Sequence, residues 1–207
     1  MWVSVWISLS ILLIGVVIVG RWLLSKKPQK TTDYTKIRKI VYSAIIAALY
    51  TTISIVLAPI SFGQVQFRVA EAMTILPIFS PSAIWGLALG CAITNFIGMS
   101  TGASILGAAD IVLGTCATII AAFMTRAFRK RRIKGLPVLS TLPPVFVNAV
   151  VIGAELCFVM RGTILTWEFF IIAGFVALGQ FGACTGLGLM LSAALEKTKA
   201  ADILRNL

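Results

Sequence analysis

Apolar runs long enough to cross a lipid bilayer follow one another along this chain of 207 residues. A helix needs roughly 20 consecutive apolar residues to cross the hydrocarbon core. We predict seven spans, at residues 2–24, 37–58, 69–80, 82–98, 106–127, 143–160 and 168–195. The third is short, because Ser80-Pro81-Ser82 interrupts the apolar run and proline disfavours a helical residue before it. The pattern predicts an all-α integral membrane protein.

The composition excludes the soluble classes. Hydrophobic residues make up 59% of the chain and charged residues only 12%, whereas a soluble domain carries about a quarter charged residues. There is no histidine, and the four cysteines lie singly in apolar stretches without a CxxC pair. We therefore expect no disulfide framework, no metal site, no cofactor and no enzyme activity.

The charge distribution predicts the orientation in the membrane. The formal net charge is +11, from 18 Lys and Arg against 7 Asp and Glu. All the basic residues except Arg68 and Arg161 lie in three clusters, at residues 21–39, 126–134 and 197–205. Loops rich in Lys and Arg stay in the cytoplasm. The pattern predicts a multi-pass membrane protein with its N-terminus outside, its C-terminus in the cytoplasm, and lipid rather than nucleic acid around it.

The first span lies apart from the others in sequence. A secretory signal carries positive charge before its apolar run, whereas Met1–Trp6 has none and the basic residues follow the run. We interpret residues 1–30 as an additional, uncleaved transmembrane helix with a basic linker. Residues 31–207 then form a body of six helices.

Ionisable groups at membrane depth are costly and mark functional sites. Away from the basic clusters, the candidates at membrane depth are Arg68, just before the third span, and Glu71, Asp110 and Glu155 within the spans. Their uncharged companions are Asn95, Asn148 and Gln180. The predicted topology places Glu71, Asn95, Asp110 and Glu155 in the outward half of four different helices. We expect them to converge on one pocket that opens to the outside.

Some of these residues also have a purely structural interpretation. Glu71 is three residues from Arg68, a spacing that suits an ion pair. Asp110 follows Gly107-Ala-Ala, where it would cap a helix, and a helix–helix hydrogen bond would explain Asn148. Glu155 lies in the middle of its span, which favours a functional role. Three carboxylates against one arginine favour a ligand with several N–H donors, or a cation.

Small residues spaced four apart allow helices to approach closely. Internal packing is the expected role of the glycine pairs, Gly86 with Gly90 and Gly182 with Gly186. Ala44 and Ala48 lie near the start of the first body helix, where an exposed patch would dock a partner. The chain has no GxxxxGK[ST] phosphate loop, so ATP-driven transport would need another subunit to bind the nucleotide.

Three stretches resemble the QueT family. They are Ala58–Pro77, with Gln-Phe-Arg-Val-Ala-Glu at its centre, Asp110-Ile-Val-Leu-Gly-Thr, and Leu142-Pro-Pro-Val-Phe-Val-Asn-Ala with the following Gly153-Ala-Glu-Leu. The resemblance covers residues 37–195. It implies the six-helix substrate-binding S component of an energy-coupling factor (ECF) transporter, which takes up queuosine precursors. It also implies assembly with a transmembrane T component and two ATPase subunits through Ala44 and Ala48.

The resemblance suggests roles for the polar residues. A 7-deazaguanine base offers its N1–H and 2-amino groups to one carboxylate, for which we expect Glu71 or Glu155. Arg68, Gln66 or Asn95 would donate to the ring carbonyl, and Asp110 would face a cationic aminomethyl group. Two alternatives remain: an S component for another vitamin-like molecule, and a secondary transporter that uses the carboxylates as proton or sodium sites.

Overall fold

The computed structural model describes residues 33–62 and 67–205, and within these ranges the regular structure is helical. The helices in the first part of the chain are α1 (Asp33–Val56), the short α2 (Ala58–Ser61), a 3-10 helix (Val69–Ile78) and α3 (Ser82–Ser100). They are followed by α4 (Ala108–Ala127), α5 (Val138–Arg161) and α6 (Glu168–Gln180). A π-helical segment (Phe181–Leu187) joins α6 to α7 (Gly188–Lys197), and α8 (Ala200–Arg205) ends the described chain.

Five helices of the described ranges are long and apolar enough to cross a membrane: α1, α3, α4, α5 and the continuous helix from Glu168 to Lys197. This confirms the prediction of an all-helical membrane protein. The predicted span 2–24 lies outside the described residues. The third predicted span is a 3-10 helix of 10 residues. At about 2.0 Å per residue it is roughly 20 Å long, which is shorter than the hydrocarbon core.

The 3-10 helix forms the centre of the bundle. Nine of its residues are buried, from Ala70 to Ile78, and it contacts α1, α3, α4, α5, α7 and the π-helical segment. A helix that is apolar on every side is stable only when other elements surround it. The main buried apolar cluster accordingly joins this helix to α1 and α3, through side chains such as Ile46, Met73, Ile75, Ile84 and Leu87.

Glycines allow α3 to lie directly on α1. A Cβ atom at Gly86 would stand 2.6 Å from the carbonyl oxygen of Ser43, and one at Gly90 would stand 2.9 Å from Cβ of Tyr50. The predicted internal packing role is confirmed for this pair. The other pair differs, because Gly182 faces the ring of Phe67, while a Cβ at Gly186 would meet no atom of a described residue within 4 Å.

Helix α5 begins five residues before the predicted span. It starts at Val138 and continues through Pro143 and Pro144, both of which are buried. Prolines inside a helix lack the N–H that would bond to the preceding turn, and the helix nevertheless continues through both of them. Thr141 Oγ1 donates to the carbonyl of Val138 at 2.8 Å, which stabilises this first turn.

One end of the bundle gathers basic residues from distant parts of the chain. Arg126 Nη1 donates to the carbonyl oxygen of Pro77 at 2.7 Å, at the end of the 3-10 helix. Arg132 forms two hydrogen bonds with Glu196, one of 2.5 Å and one of 3.1 Å, and this pairing raises the pKa of Arg132. Arg205 lies 3.6 Å from the same carboxylate. The second and third basic clusters therefore meet at this end.

Candidate functional site

Charged and polar side chains meet in the half of the bundle away from the basic end. Arg68, Glu71, Asn95 and Asp110 are each at most 5% exposed, and Glu155 is 8% exposed. Together with Tyr50 they form what we call the polar cluster. Burying ionised groups is costly unless partners compensate them. Groups of the cluster that lack a partner within the protein are therefore candidates for ligand binding.

Glu71 has one oxygen in a hydrogen bond and one without a partner. Tyr50 Oη, from α1, donates to Glu71 Oε1 at 2.5 Å. Thr74 Oγ1 donates to the backbone carbonyl of Glu71 at 2.6 Å and stabilises the first turn of the 3-10 helix. Glu71 Oε2 is buried and has no partner among the described residues. The carboxylate is thus held in place and keeps one oxygen available for a ligand.

Arg68 precedes the 3-10 helix and lies over an aromatic ring. Its guanidinium carbon is 5.3 Å from the centre of the Phe62 ring, which is cation–π distance. The Phe62 ring in turn packs where Gly98 has no side chain. Arg68 attracts Glu71 and Asp110 electrostatically. However, none of its nitrogens lies within 4.0 Å of a carboxylate oxygen of a described residue, so the ion pair with Glu71 suggested by their spacing does not form.

Asn95 and Asp110 connect α3 to α4. Asn95 Nδ2 donates to the backbone carbonyl of Asp110 at 2.9 Å. The cap residue of α4 is Gly107, with φ of 66°, and no side chain caps the helix. The capping interpretation of Asp110 is therefore wrong. Both of its carboxylate oxygens are buried without a partner among the described residues.

Gly114 leaves space for the Asp110 carboxylate. A Cβ atom at position 114 would overlap Asp110 Oδ1 and would stand 2.9 Å from Asn95 Nδ2. A larger residue here would displace both side chains. The small residue one turn after Asp110 is thus part of the site geometry.

Glu155 completes the cluster from α5. Both of its carboxylate oxygens are buried without a partner among the described residues, and Asp110 repels it electrostatically. Asn148, two turns earlier on α5, is buried but makes no side-chain hydrogen bond to another described residue. Gln66 lies outside the described residues.

The structure adds three residues that sequence reasoning did not identify. Tyr50 is completely buried and contacts Glu71. Cys91 accepts a hydrogen bond from Thr118 at 3.3 Å and lies close to Arg68, Glu71 and Asp110. Cys184, in the π-helical segment, interacts electrostatically with Glu71. The signal for Tyr50 was its helical spacing from Ile46 and Ala47, which are also buried.

Ala44 and Ala48 lie on the opposite face of α1 from Tyr50. Both are exposed, whereas Ala47 between them is buried. Ala44 also lines a shallow groove between α1 and α3, together with residues such as Lys39, Ser82 and Trp85. The two predicted partner-binding residues therefore do not belong to the polar cluster, and they face outward.

The cluster has more acceptors than donors. Six of its buried oxygens have no partner among the described residues: Glu71 Oε2, Asn95 Oδ1 and the four carboxylate oxygens of Asp110 and Glu155. Arg68 is the cation of the cluster, so three carboxylates face one positive charge. A ligand that offers several N–H groups or a positive charge would compensate this arrangement, and an anion would not.

Comparison with known proteins gives the family. The family model described as QueT transporter matches residues 40–197. The chain is also similar to the queuosine precursor transporter QueT of Lactococcus lactis subsp. cremoris, with 32% identity over 96 residues, which are 45% of this chain and 49% of that protein. The aligned part therefore spans about half the length of this relative. No solved structure matches the chain. Since the family match covers most of the chain, including every described member of the polar cluster, this multi-pass membrane protein belongs to the QueT transporter family.

Proposed function

We propose that this protein captures a queuosine precursor, a 7-deazaguanine base or nucleoside, in the polar cluster and is part of its uptake system. The observation that carries the proposal is the set of six buried acceptor oxygens around a single arginine. A 7-deazaguanine ring presents several N–H donors, so it matches this excess of acceptors. The similarity to a queuosine precursor transporter supports the same substrate class.

The geometry favours Glu71 for the donor edge of the ring. Tyr50 orients its carboxylate through Oε1 and leaves Oε2 available, so Glu71 would accept from the N1–H and 2-amino groups. Arg68, Asn95 or Gln66 would donate to the ring carbonyl. Phe62 lies beside Arg68 and would offer an aromatic face to a flat ligand.

We further propose that the protein is the S component of an ECF transporter, with a six-helix body preceded by one additional helix. The chain lacks a nucleotide-binding loop, so a T component and two ATPase subunits would supply the energy. Ala44 and Ala48 would bind the T component, and their exposure on α1 supports this role. The basic end of the bundle would face the cytoplasm, and the polar cluster would receive the ligand from outside.

Binding by the purified protein tests the proposed substrate. We expect mass spectrometry of the co-purified small molecules to detect a 7-deazaguanine compound, and calorimetry to show that it binds. In Glu71→Gln, an amide nitrogen replaces a carboxylate oxygen that would accept a hydrogen bond from the ligand. Because the amide nitrogen cannot accept this bond, we expect a loss of affinity of about tenfold or more. Unchanged affinity in both Glu71→Gln and Glu155→Gln would contradict the assignment of the ring edge to a carboxylate.

A secondary transporter is the second candidate, because Asp110 and Glu155 are buried ionisable groups at membrane depth without hydrogen-bond partners among the described residues. Uptake into liposomes separates the two mechanisms. The ECF proposal expects uptake only when the T component, the ATPase subunits and ATP are present. Uptake by this protein alone, driven by a proton or sodium gradient, would instead support the secondary transporter.

A further inference from the structure

We propose that the turn between α4 and α5 (residues 128–137) anchors the basic end of the bundle to an anionic membrane surface. Two apolar side chains of the turn, Ile133 and Leu136, would lie among the lipids, and its unpaired basic side chains would bind the phosphate groups of anionic lipids. The inference goes beyond the proposed function, because the turn has no part in the polar cluster.

The turn has a fixed backbone shape. The backbone N–H of Ile133 donates to the carbonyl of Leu136 at 2.9 Å, and the N–H of Leu136 donates to the carbonyl of Ile133 at 3.0 Å. The two residues between them, Lys134 and Gly135, have φ of 50° and 83°. A type I′ hairpin turn requires positive φ at both central residues. Residues paired directly across a hairpin carry their side chains on the same face, so Ile133 and Leu136 lie side by side.

An arginine ties the turn to the rest of the bundle. Arg132 Nη1 donates to the carbonyl of Gly135 at 2.9 Å and to the carboxylate of Glu196, on α7, at 3.1 Å. Arg205 lies 3.6 Å from the same carboxylate. Glu196 is thus compensated by two arginines, and the turn is held in one position relative to α7.

The turn presents apolar and basic surface together. Ile133 is 48% exposed and Leu136 is 40% exposed. Lys130, Arg131 and Lys134 are exposed as well, and none of the three forms an ion pair with an Asp or Glu of the described ranges. Apolar side chains beside unpaired Lys and Arg are typical of protein surfaces that lie on anionic membranes.

The place of the turn in the fold favours lipid as its partner. Helix α4 ends at Ala127 and α5 begins at Val138, and both helices are long and apolar enough to cross a membrane. The turn therefore begins and ends at the membrane surface, where headgroups lie within reach of its side chains. A lipid phosphate accepts charge-assisted hydrogen bonds from Lys and Arg, and the acyl chains next to it would cover Ile133 and Leu136.

Quenching by spin-labelled lipids tests the inference on the purified full-length protein. Ile133→Cys, in a Cys116→Ala background, would carry an environment-sensitive fluorophore in phosphatidylcholine vesicles. The vesicles would contain a small fraction of spin-labelled phosphatidylglycerol, which is anionic, or of phosphatidylcholine with the same spin label. We expect both lipids to quench the fluorophore. Phosphatidylglycerol should quench roughly fivefold more strongly, which corresponds to the attraction of one basic residue to an anionic surface.

Substitutions in the turn separate the two contributions. Lys130→Gln, Arg131→Gln and Lys134→Gln combined should bring the preference for phosphatidylglycerol towards one, while quenching by phosphatidylcholine remains. Leu136→Ser should weaken quenching by both lipids, because it removes an apolar contact with the acyl chains.

Leu165→Cys is the matched control, because it places the fluorophore in the turn at the opposite end of the bundle. Leu165 is 85% exposed, and the arginine near it, Arg161, is paired with Glu168 at 2.7 Å. We expect the two lipids to quench a fluorophore at position 165 equally. Both leaflets of the vesicles have the same composition, so the result does not depend on the orientation of the protein.

Equal quenching by the two lipids at position 133 would overturn the proposed headgroup binding. Absence of quenching by either lipid would overturn the insertion, and shielding of the fluorophore by added T component and ATPase subunits would then identify a protein partner instead. A preference that persists in the triple Gln variant would contradict the three assigned residues. These outcomes do not involve the 7-deazaguanine ligand, so they leave the proposed function standing.

Discussion

Tyr50 shows how one hydroxyl group orients a buried carboxylate and leaves part of it unpaired. The phenol donates one hydrogen bond to Glu71 Oε1, and Oε2 stays without a partner among the described residues. An arginine in the same place would donate to both oxygens and would compete with the ligand. With tyrosine at position 50, Glu71 Oε2 therefore stays available as the acceptor that the proposed function needs.

Removing this hydroxyl should weaken ligand binding. In Tyr50→Phe the aromatic ring stays buried, but Glu71 Oε1 loses its donor and the carboxylate loses its fixed orientation. A hydrogen bond to a charged group contributes about 1.5–3 kcal/mol, so we expect a loss of affinity for a 7-deazaguanine ligand of roughly tenfold or more. Calorimetry on the purified variant measures this loss.

Tyr42 provides the control on the same helix. It lies two turns before Tyr50, and its hydroxyl is buried without a partner among the described residues. Tyr42→Phe should therefore leave the affinity unchanged. If Tyr42→Phe and Tyr50→Phe behaved alike, the hydrogen bond to Glu71 would have no role in binding.

At the scale of residues, the sequence predicts the charged members of the site well, because ionisable groups are rare and expensive inside a membrane. Arg68, Glu71, Asp110 and Glu155 are all buried. It does not predict Tyr50 or Cys184, since tyrosine and cysteine are ordinary residues of apolar helices. Nor does it decide whether Asp110 caps α4, because that depends on where the helix begins.

Helix α1 has two faces with different roles. Its inner face packs on α3 through the close approach at Gly86 and Gly90 and carries Tyr50 into the polar cluster. Its outer face exposes Ala44 and Ala48 together with large apolar residues such as Ile45 and Leu49. The two faces would separate the proposed ligand site from the proposed docking site of the T component.

Bulky substitutions on the two faces should have different effects. Ala48→Trp enlarges an exposed position, so we expect ligand binding to persist while ATP-driven uptake by the assembled transporter is lost. Ala47→Trp is the control, because Ala47 is 3% exposed and lies against Gly90. Overpacking there costs about 1–3 kcal/mol, so this variant should melt at a lower temperature. Loss of binding in Ala48→Trp would mean that this alanine packs internally.

At the scale of elements, apolar length predicts the long helices and their order, and proline predicts the break at Ser80-Pro81-Ser82. It does not identify the 3-10 helix or the π-helical segment, because hydropathy averages over a window and does not register the hydrogen-bond pattern. The predicted span 143–160 omits residues 138–142 of α5, because apolar length alone does not show whether a helix extends on the N-terminal side of two prolines.

The two ends of the described bundle differ in their content of basic residues. The basic end contains Arg126, Arg132 and Arg205. Arg126 contacts the 3-10 helix, Arg132 contacts Glu196, and Arg205 lies over the Phe79 ring. At the other end, Arg161 pairs with Glu168 at 2.7 Å, and the polar cluster lies on the same side. The positive charge is therefore concentrated at one end of the described bundle, which is the end that we propose faces the cytoplasm.

Cysteine labelling in intact cells tests this orientation. Lys130 is exposed at the basic end, and Leu165 is 85% exposed at the opposite end. A membrane-impermeant maleimide added outside should label Leu165→Cys and should label Lys130→Cys only after the cells are opened. Labelling of Lys130→Cys in intact cells would mean that the basic end faces outward.

The native cysteines interfere little with this measurement. Cys91, Cys157 and Cys184 are buried, and Cys116 is partly exposed. Replacing Cys116 by Ala removes the one native thiol among these four that reaches the surface. The variant without an introduced cysteine should remain unlabelled under both conditions, which gives the background.

The shortness of the central 3-10 helix has a consequence for how the protein enters its membrane. Val69–Ile78 is too short for the insertion machinery to recognise as a complete span, and its buried side chains are covered by α3, α4, α5 and α7, all of which are synthesised after it. We expect this segment to reach its final depth only when those later helices have been made. The 3-10 helix would then reach its place after helices that follow it in the sequence. If translation stopped before α7, the proposed ligand site would remain unassembled, although most of its residues had already been translated.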